Sequence, residues 1–195
     1  IRITDSTYEP SRYDSRRAIG GFFKNVSIKN IFGKATLGST VIIQAVADNI
    51  LLEGVFLDSN DIRARVAIVD SKIENAVFKD LFLNKTTSEL PFSVTNSDIK
   101  NLTIDNGQFH SNVTTNWIGL NHTNSDAKVT IENSRFSSNN ISHGGIYLSS
   151  PSVDLHIENT QFDSVQSMIT FVSTGTSKVS LDNVIVKDCV YGINN

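Results

Sequence analysis

The octet VTIENSRF at 129–136 returns as LHIENTQF at 155–162 and stands as LTIDNGQF at 102–109. The same alternation opens VSIKNIFG at 26, ILLEGVFL at 50, AVFKDLFL at 76 and VSLDNVIV at 179, and IRITDSTY at 1–8 fits it as well. Successive copies begin 25, 24, 26, 26, 27, 26 and 24 residues apart. Self-similarity at that period over the whole chain marks stacked units, each too small to bury its own apolar face.

Each octet alternates apolar and polar residues over its first four positions, as a strand with one buried face does. The inward positions are Val26 and Ile28, Ile50 and Leu52, Leu102 and Ile104, Val129 and Ile131, Leu155 and Ile157, and Val179 and Leu181. The fifth position holds Asp5, Asn30, Gly54, Asp80, Asn106, Asn133, Asn159 or Asn183, and never a β-branched residue. A turn with positive φ demands such a set. Another apolar residue follows (Leu57, Leu83, Phe109, Phe136, Phe162, Val186), then a third apolar stretch such as VAIV at 66, WIGL at 117 and GIYL at 145. Three short strands and three turns per copy make one rung of a parallel β-helix, with rungs about 4.8 Å apart. The expected fold is all-β: one segment over 1–195, about eight rungs of 24–27 residues. Asn106, Asn133, Asn159 and Asn183 should form a turn ladder, hydrogen-bonded along the stack as amide ladders are in cross-β assemblies. The chain has 20 Asn, many Ser and Thr and one Met, which favours turns and strands. A helical pattern is not sustained anywhere, and the L-x-x-L-x-L consensus of a leucine-rich horseshoe is missing.

This repeat resembles the right-handed parallel β-helices of the pectin-lyase-like superfamily over essentially all 195 residues. Within that group, SRFSSNNISHGGIYL at 134–148 is similar to the F-x-x-N and G-G-A-I motifs of polymorphic outer-membrane-protein-type surface β-helices. Phe136, Asn139, Gly144, Gly145 and Ile146 fit, whereas the alanine after the glycines is missing, and FHSN at 109–112 gives the first motif alone. The resemblance implies a right-handed solenoid and either a surface role or polysaccharide chemistry.

Catalysis on such a rod needs carboxylates and an Arg or Lys converging from neighbouring rungs. The outward octet row reads Arg2, Ser27, Leu51, Val77, Thr103, Thr130, His156 and Ser180, with no acidic cluster. The fourth position ends in Asp105, Glu132, Glu158 and Asp182, a column of like charge. Such a column is a solvated edge or a cation ladder, for which Ca²⁺ is the implied cofactor; no other cofactor is implied. His110, His122, His143 and His156 fall in different parts of the rung and form no ligand set. SHGG at 142–145 superficially resembles a loop of polygalacturonases, but their companion aspartate pairs and R-x-K motif are missing. No catalytic residue is assigned.

Formal net charge is −3, so no electrostatic footprint for nucleic acid is expected, and the apolar runs are too short for a membrane-spanning helix. Cys189 is the one cysteine and reads as a buried, inert thiol. Trp117 reads as core, and Tyr147 should point outward. Six N-x-S/T sequons occur, at Asn25, Asn84, Asn101, Asn112, Asn121 and Asn140. Asn84, Asn121 and Asn140 fall just past strand positions and are the glycosylation candidates, whereas Asn112 should be committed inside. The repeat is cut mid-pattern at Ile1 and Asn195, so a segment of a longer chain is expected. Together these features describe a non-catalytic extracellular or cell-surface rod for adhesion, carbohydrate or surface-protein binding, or end-to-end self-association into a fibre. Arg2, Arg12, Arg16 and Arg17 at one end, opposite the acidic column, would favour that association. The alternative is a polysaccharide lyase or glycoside hydrolase of the pectin-lyase-like type.

Overall fold

The structure, a computed structural model, describes residues 2–7, 17–34, 40–59, 65–85, 90–111, 116–122, 127–138, 144–150, 152–172 and 175–194. These residues form seventeen strands and no helix. All strand pairs are parallel and join residues one repeat apart, so the chain is a parallel β-solenoid.

The octets form the first side. Arg2, Ser27, Leu51, Val77, Thr103, Thr130, His156 and Ser180 lie in one continuous register, borne by β1 (Arg2–Thr7), β2 (Arg17–Lys34), β3 (Thr40–Ser59), β5 (Lys72–Lys85), β6 (Phe92–Asp105), β9 (Ala127–Glu132), β12 (Val153–Glu158) and β15 (Lys178–Asp182). The second side continues through the later parts of β2, β3 and β5 into β7 (Gln108–Ser111), β10 (Arg135–Ser138), β13 (Gln161–Asp163) and β16 (Ile185–Lys187). The third comprises the openings of β2, β3 and β6 with β4 (Arg65–Val69), β8 (Ile118–His122), β11 (Ile146–Leu148), β14 (Ser167–Phe171) and β17 (Tyr191–Asn194). The first side thus carries one strand per repeat through eight repeats, and the stacked solenoid is the fold the repeat predicted.

The period-2 pattern decides what is inside. Val26, Ile28, Ile50, Leu52, Leu102, Ile104, Val129, Ile131, Leu155 and Ile157 are all buried. The exception is the last copy, where Val179 is half-buried and Leu181 is 45% exposed, because among the described residues no strand pairs on their far side. Register puts like over like, so Phe109, Phe136 and Phe162 stack face to face in the core with centroids 4.8 and 4.7 Å apart. Trp117 is buried against Phe136, as its strand position predicted. Gly145 sits where the third side begins: a Cβ there would come within 2.5 Å of the Met168 carbonyl oxygen. Its own N–H donates to Ser167 across the rung gap at 2.6 Å. That close approach gives Gly145 a backbone reason.

Phe136 is the middle ring of the stack and has no exposure. Phe136→Ala should cost about 3–5 kcal/mol, the range for emptying a buried aromatic site. Thermal unfolding of the variant beside wild type checks this, and a melting temperature within error of wild type would show that the stack is not a working part of the core.

Candidate functional site

The corners come first, because they aim everything on the outer surface. Asp80, Asn106, Asn133, Asn159 and Asn183 have φ between 47° and 55°, and Gly54 has φ 68°. The turn after the first side is thus left-handed in successive rungs, as the absence of β-branched residues demanded. The side chains of the four turn asparagines make a broken ladder. Asn183 donates to Asn159 Oδ1 at 2.7 Å and Asn106 to Asp80 Oδ1 at 2.7 Å. Asn133 instead reaches Asp105 Oδ1 at 2.9 Å, and Asn159 bends to its neighbour Glu158 at 3.2 Å.

A second corner device went unread in the sequence. The residue after the left-handed one is a buried hydroxyl in Ser71, Ser97, Ser134 and Thr160. Each hydroxyl donates to the carbonyl two residues back: Ser134 to Glu132 at 2.7 Å, Thr160 to Glu158 at 2.8 Å, and Ser71 and Ser97 to Val69 and Thr95 at 2.9 Å. Each also accepts a backbone N–H from the preceding rung: Gly107 at 2.9 Å, Ser134 at 3.3 Å, Ala45 at 3.0 Å and Ser71 at 3.1 Å. Asx–Ser/Thr dipeptides at constant register were the signal that could have revealed it.

A third column lies one residue before each octet. Asn49 donates to Asn25 at 2.8 Å, Asn75 to Asn49 at 2.9 Å and Asn101 to Asn75 at 2.9 Å, an unbroken carboxamide ladder over four rungs. It could have been read from N-V, N-I, N-A and N-L at the octet boundary.

The outer row at the fourth octet position alternates in sign through the early rungs. Lys29 pairs with Glu53, and Lys79 with Asp105 at 3.6 Å. The hydrogen bond from Lys29 holds the Glu53 carboxyl below its ordinary value, with desolvation acting against it. Beyond Asp105 the row is wholly acidic, with Glu158 registered between Glu132 and Asp182. Asp105 is therefore drawn into an ion pair and an amide contact, while Glu158 lies 3.5 Å from His156 Nε2. The four carboxylates form a line, and among the described residues no three His, Cys, Asp or Glu come together as a metal-holding group. On the corner before the Asn ladder Lys100 pairs with Glu74 at 2.6 Å, which raises the Lys100 ammonium above its ordinary value; Arg135 meets Asp163 at 3.4 Å on the second side.

The remaining candidates are scattered. His110 Nδ1 meets Ser137 Oγ at 2.9 Å and His156 Nδ1 meets Ser180 Oγ at 2.8 Å, each across one rung gap on different sides. The His122 side chain and His143 lie outside the described residues, as do Asn112, Asn140, Arg12 and Arg16 and the side chains of Arg2 and Arg17. Asn84 is half-buried on the second side, and Asn121 is exposed on the third. Tyr147 is half-buried between two buried neighbours, Ile146 and Leu148. Cys189 is half-buried, and desolvation pushes its thiol above the ordinary value. No helix among the described residues is long and apolar enough to cross a membrane. No protein-family model, curated protein or solved structure matches the chain.

Two outcomes follow from these columns. Ser134→Ala strands the buried Gly107 N–H and should cost about 1–3 kcal/mol, whereas Ser134→Thr, which copies the next rung's Thr160, should melt close to wild type. Equal melting of Ala and Thr variants would remove the hydroxyl from the corner's energetics. In material from a glycosylating secretory host, Asn121 should carry a glycan and Asn101, whose Nδ2 is held in the ladder, should not. Peptide mapping that finds the reverse would overturn that assignment.

Proposed function

We propose that this chain is a non-catalytic, extracellular or cell-surface β-helix, a rigid rod whose outer columns serve adhesion, carbohydrate or surface-protein binding, or end-to-end assembly. One observation carries the reading. In the Lys29–Glu53, Lys79–Asp105, Lys100–Glu74 and Arg135–Asp163 pairs, one cation meets one carboxylate, and each pair lies along the stack. Pairs of that kind neutralise charge along the wall. A glycosidic cleavage site needs two carboxylates, or a base beside a charge-stabilising group, turned towards one point outside the wall. The similarity of Phe136, Gly144, Gly145 and Ile146 to surface β-helix motifs of the polymorphic outer-membrane-protein type supports the same reading, within the pectin-lyase-like group. An exposed sequon at Asn121 fits a secreted glycoprotein.

The test is turnover. Incubated with polygalacturonate, xylan and dextran, with and without Ca²⁺, the protein should release neither unsaturated products nor new reducing ends. Release that disappears in Lys79→Ala or Asp105→Asn would replace the rod with the polysaccharide-active enzyme and place its chemistry at that pair.

A further inference from the structure

Along the early rungs the outer face of the first side is a trough of about 510 Å³. Its floor is the half-buried pair Leu51 and Val77. One wall is the carboxamide ladder at Asn25, Asn49 and Asn75. Beyond the floor on the other side runs the row in which Lys29 cancels Glu53 and Lys79 cancels Asp105. We infer that this trough binds a neutral glycan chain lying along the stack. The inference rests on the adhesive reading of the rod and names its ligand class.

Three features select that ligand. The first is charge. The flanking charges neutralise one another, so nucleic acid or an acidic polysaccharide finds no counter-charge here, and an apolar floor favours a chain with an uncharged face. The second is hydrogen-bonding capacity. A carboxamide has two N–H donors and two acceptor lone pairs, and the ladder engages one of each at Asn49. What remains suits a hydroxyl, which donates and accepts from one atom. The third is period. The amides recur once per rung, about every 4.8 Å, while an extended peptide lying along the rod would present a residue every ~3.3 Å and lose step within a few rungs. Linked pyranose rings advance by nearly one rung per sugar, with hydroxyls at their rims and a C–H face between. That face would lie on Leu51 and Val77, and the rim hydroxyls would meet Asn49 and Asn75.

Isothermal titration with cellohexaose and chitohexaose as neutral probes, and hexagalacturonate as the acidic one, tests this on wild type and a Leu51→Lys/Val77→Lys variant. A neutral probe should bind wild type, and the variant, with unchanged circular dichroism and melting temperature, should lose affinity by about tenfold or more. Should the double variant fail to fold, Leu51→Thr/Val77→Thr, which copies Thr103 and Thr130 of the same row, removes the apolar floor without placing charge in it. Failure of both neutral probes to bind wild type, or tighter binding of hexagalacturonate, overturns the inference. Neutral binding that survives in a folded variant overturns the trough while leaving the adhesive rod intact. Cleavage of any probe would instead remove the adhesive reading itself.

Discussion

The structure depends on one interaction, the backbone hydrogen bond along the stack. A strand in a single rung has its N–H and C=O groups directed at the rungs above and below, so a rung alone leaves them unpaired. Parallel stacking in register satisfies them, as where the Asn106 N–H meets the Glu132 carbonyl at 3.1 Å and the Asn159 N–H meets Asp182 at 3.0 Å. A second condition follows: each residue sits directly over its counterpart one repeat away. A side chain at a given position must therefore tolerate a near copy of itself about 4.8 Å away. Phenyl rings do so by stacking, amides by donating down the column and hydroxyls by relaying. Charges do not, unless the sign alternates.

That rule separates the two halves of the fourth octet row. Lys29, Glu53, Lys79 and Asp105 alternate and pair, so the column is internally compensated. Glu132, Glu158 and Asp182 do not alternate, and their position explains how they are kept. They stand at the solvent edge of the strand, where water and salt screen like charge, and their backbone carbonyls accept the N–H of the turn asparagine one rung earlier whatever their side chains do. Glu158 also turns aside towards His156 and Asn159. A cation could lower the repulsion further, but a straight line of carboxylates offers no enclosing set of oxygens of the kind that makes a calcium site.

Most of the interior was legible because burial imposes a period. Alternation fixed which of Val129, Thr130, Ile131 and Glu132 face the core, and a turn position without β-branched residues fixed where φ turns positive. The outer surface was less legible for a physical reason. Asn25, Asn49, Asn75 and Asn101 lie just before the alternation begins, where no apolar pattern frames them, and two of the four read as glycosylation sequons. The hydroxyls of Ser134 and Thr160 were hidden differently. A polar residue following a turn asparagine reads as ordinary loop chemistry until the structure shows it buried and bonded to two rungs. The candidate site suffered most, since ion pairing between residues 24 to 26 apart depends on rotamers that a repeat alignment does not fix.

The same geometry bears on the choice between rod and enzyme. Around any point on a flat solenoid wall, the neighbours are residues two positions along a strand and residues one rung away. Axial stacking makes the second kind of neighbour similar to the first residue, so a column supplies one chemistry repeated, whereas acid–base catalysis needs different groups converging. Diversity must then come from breaking the repeat, as His156 and Ser180 do below Thr103 and Thr130 in the outward row. There the two differing residues bond to each other, and His156 turns its other nitrogen to Glu158 on its own strand. The break is thus absorbed into the wall. In the early rungs the column of Asn25, Asn49 and Asn75 keeps the repeat instead, and a repeated column matches best a ligand that repeats as well.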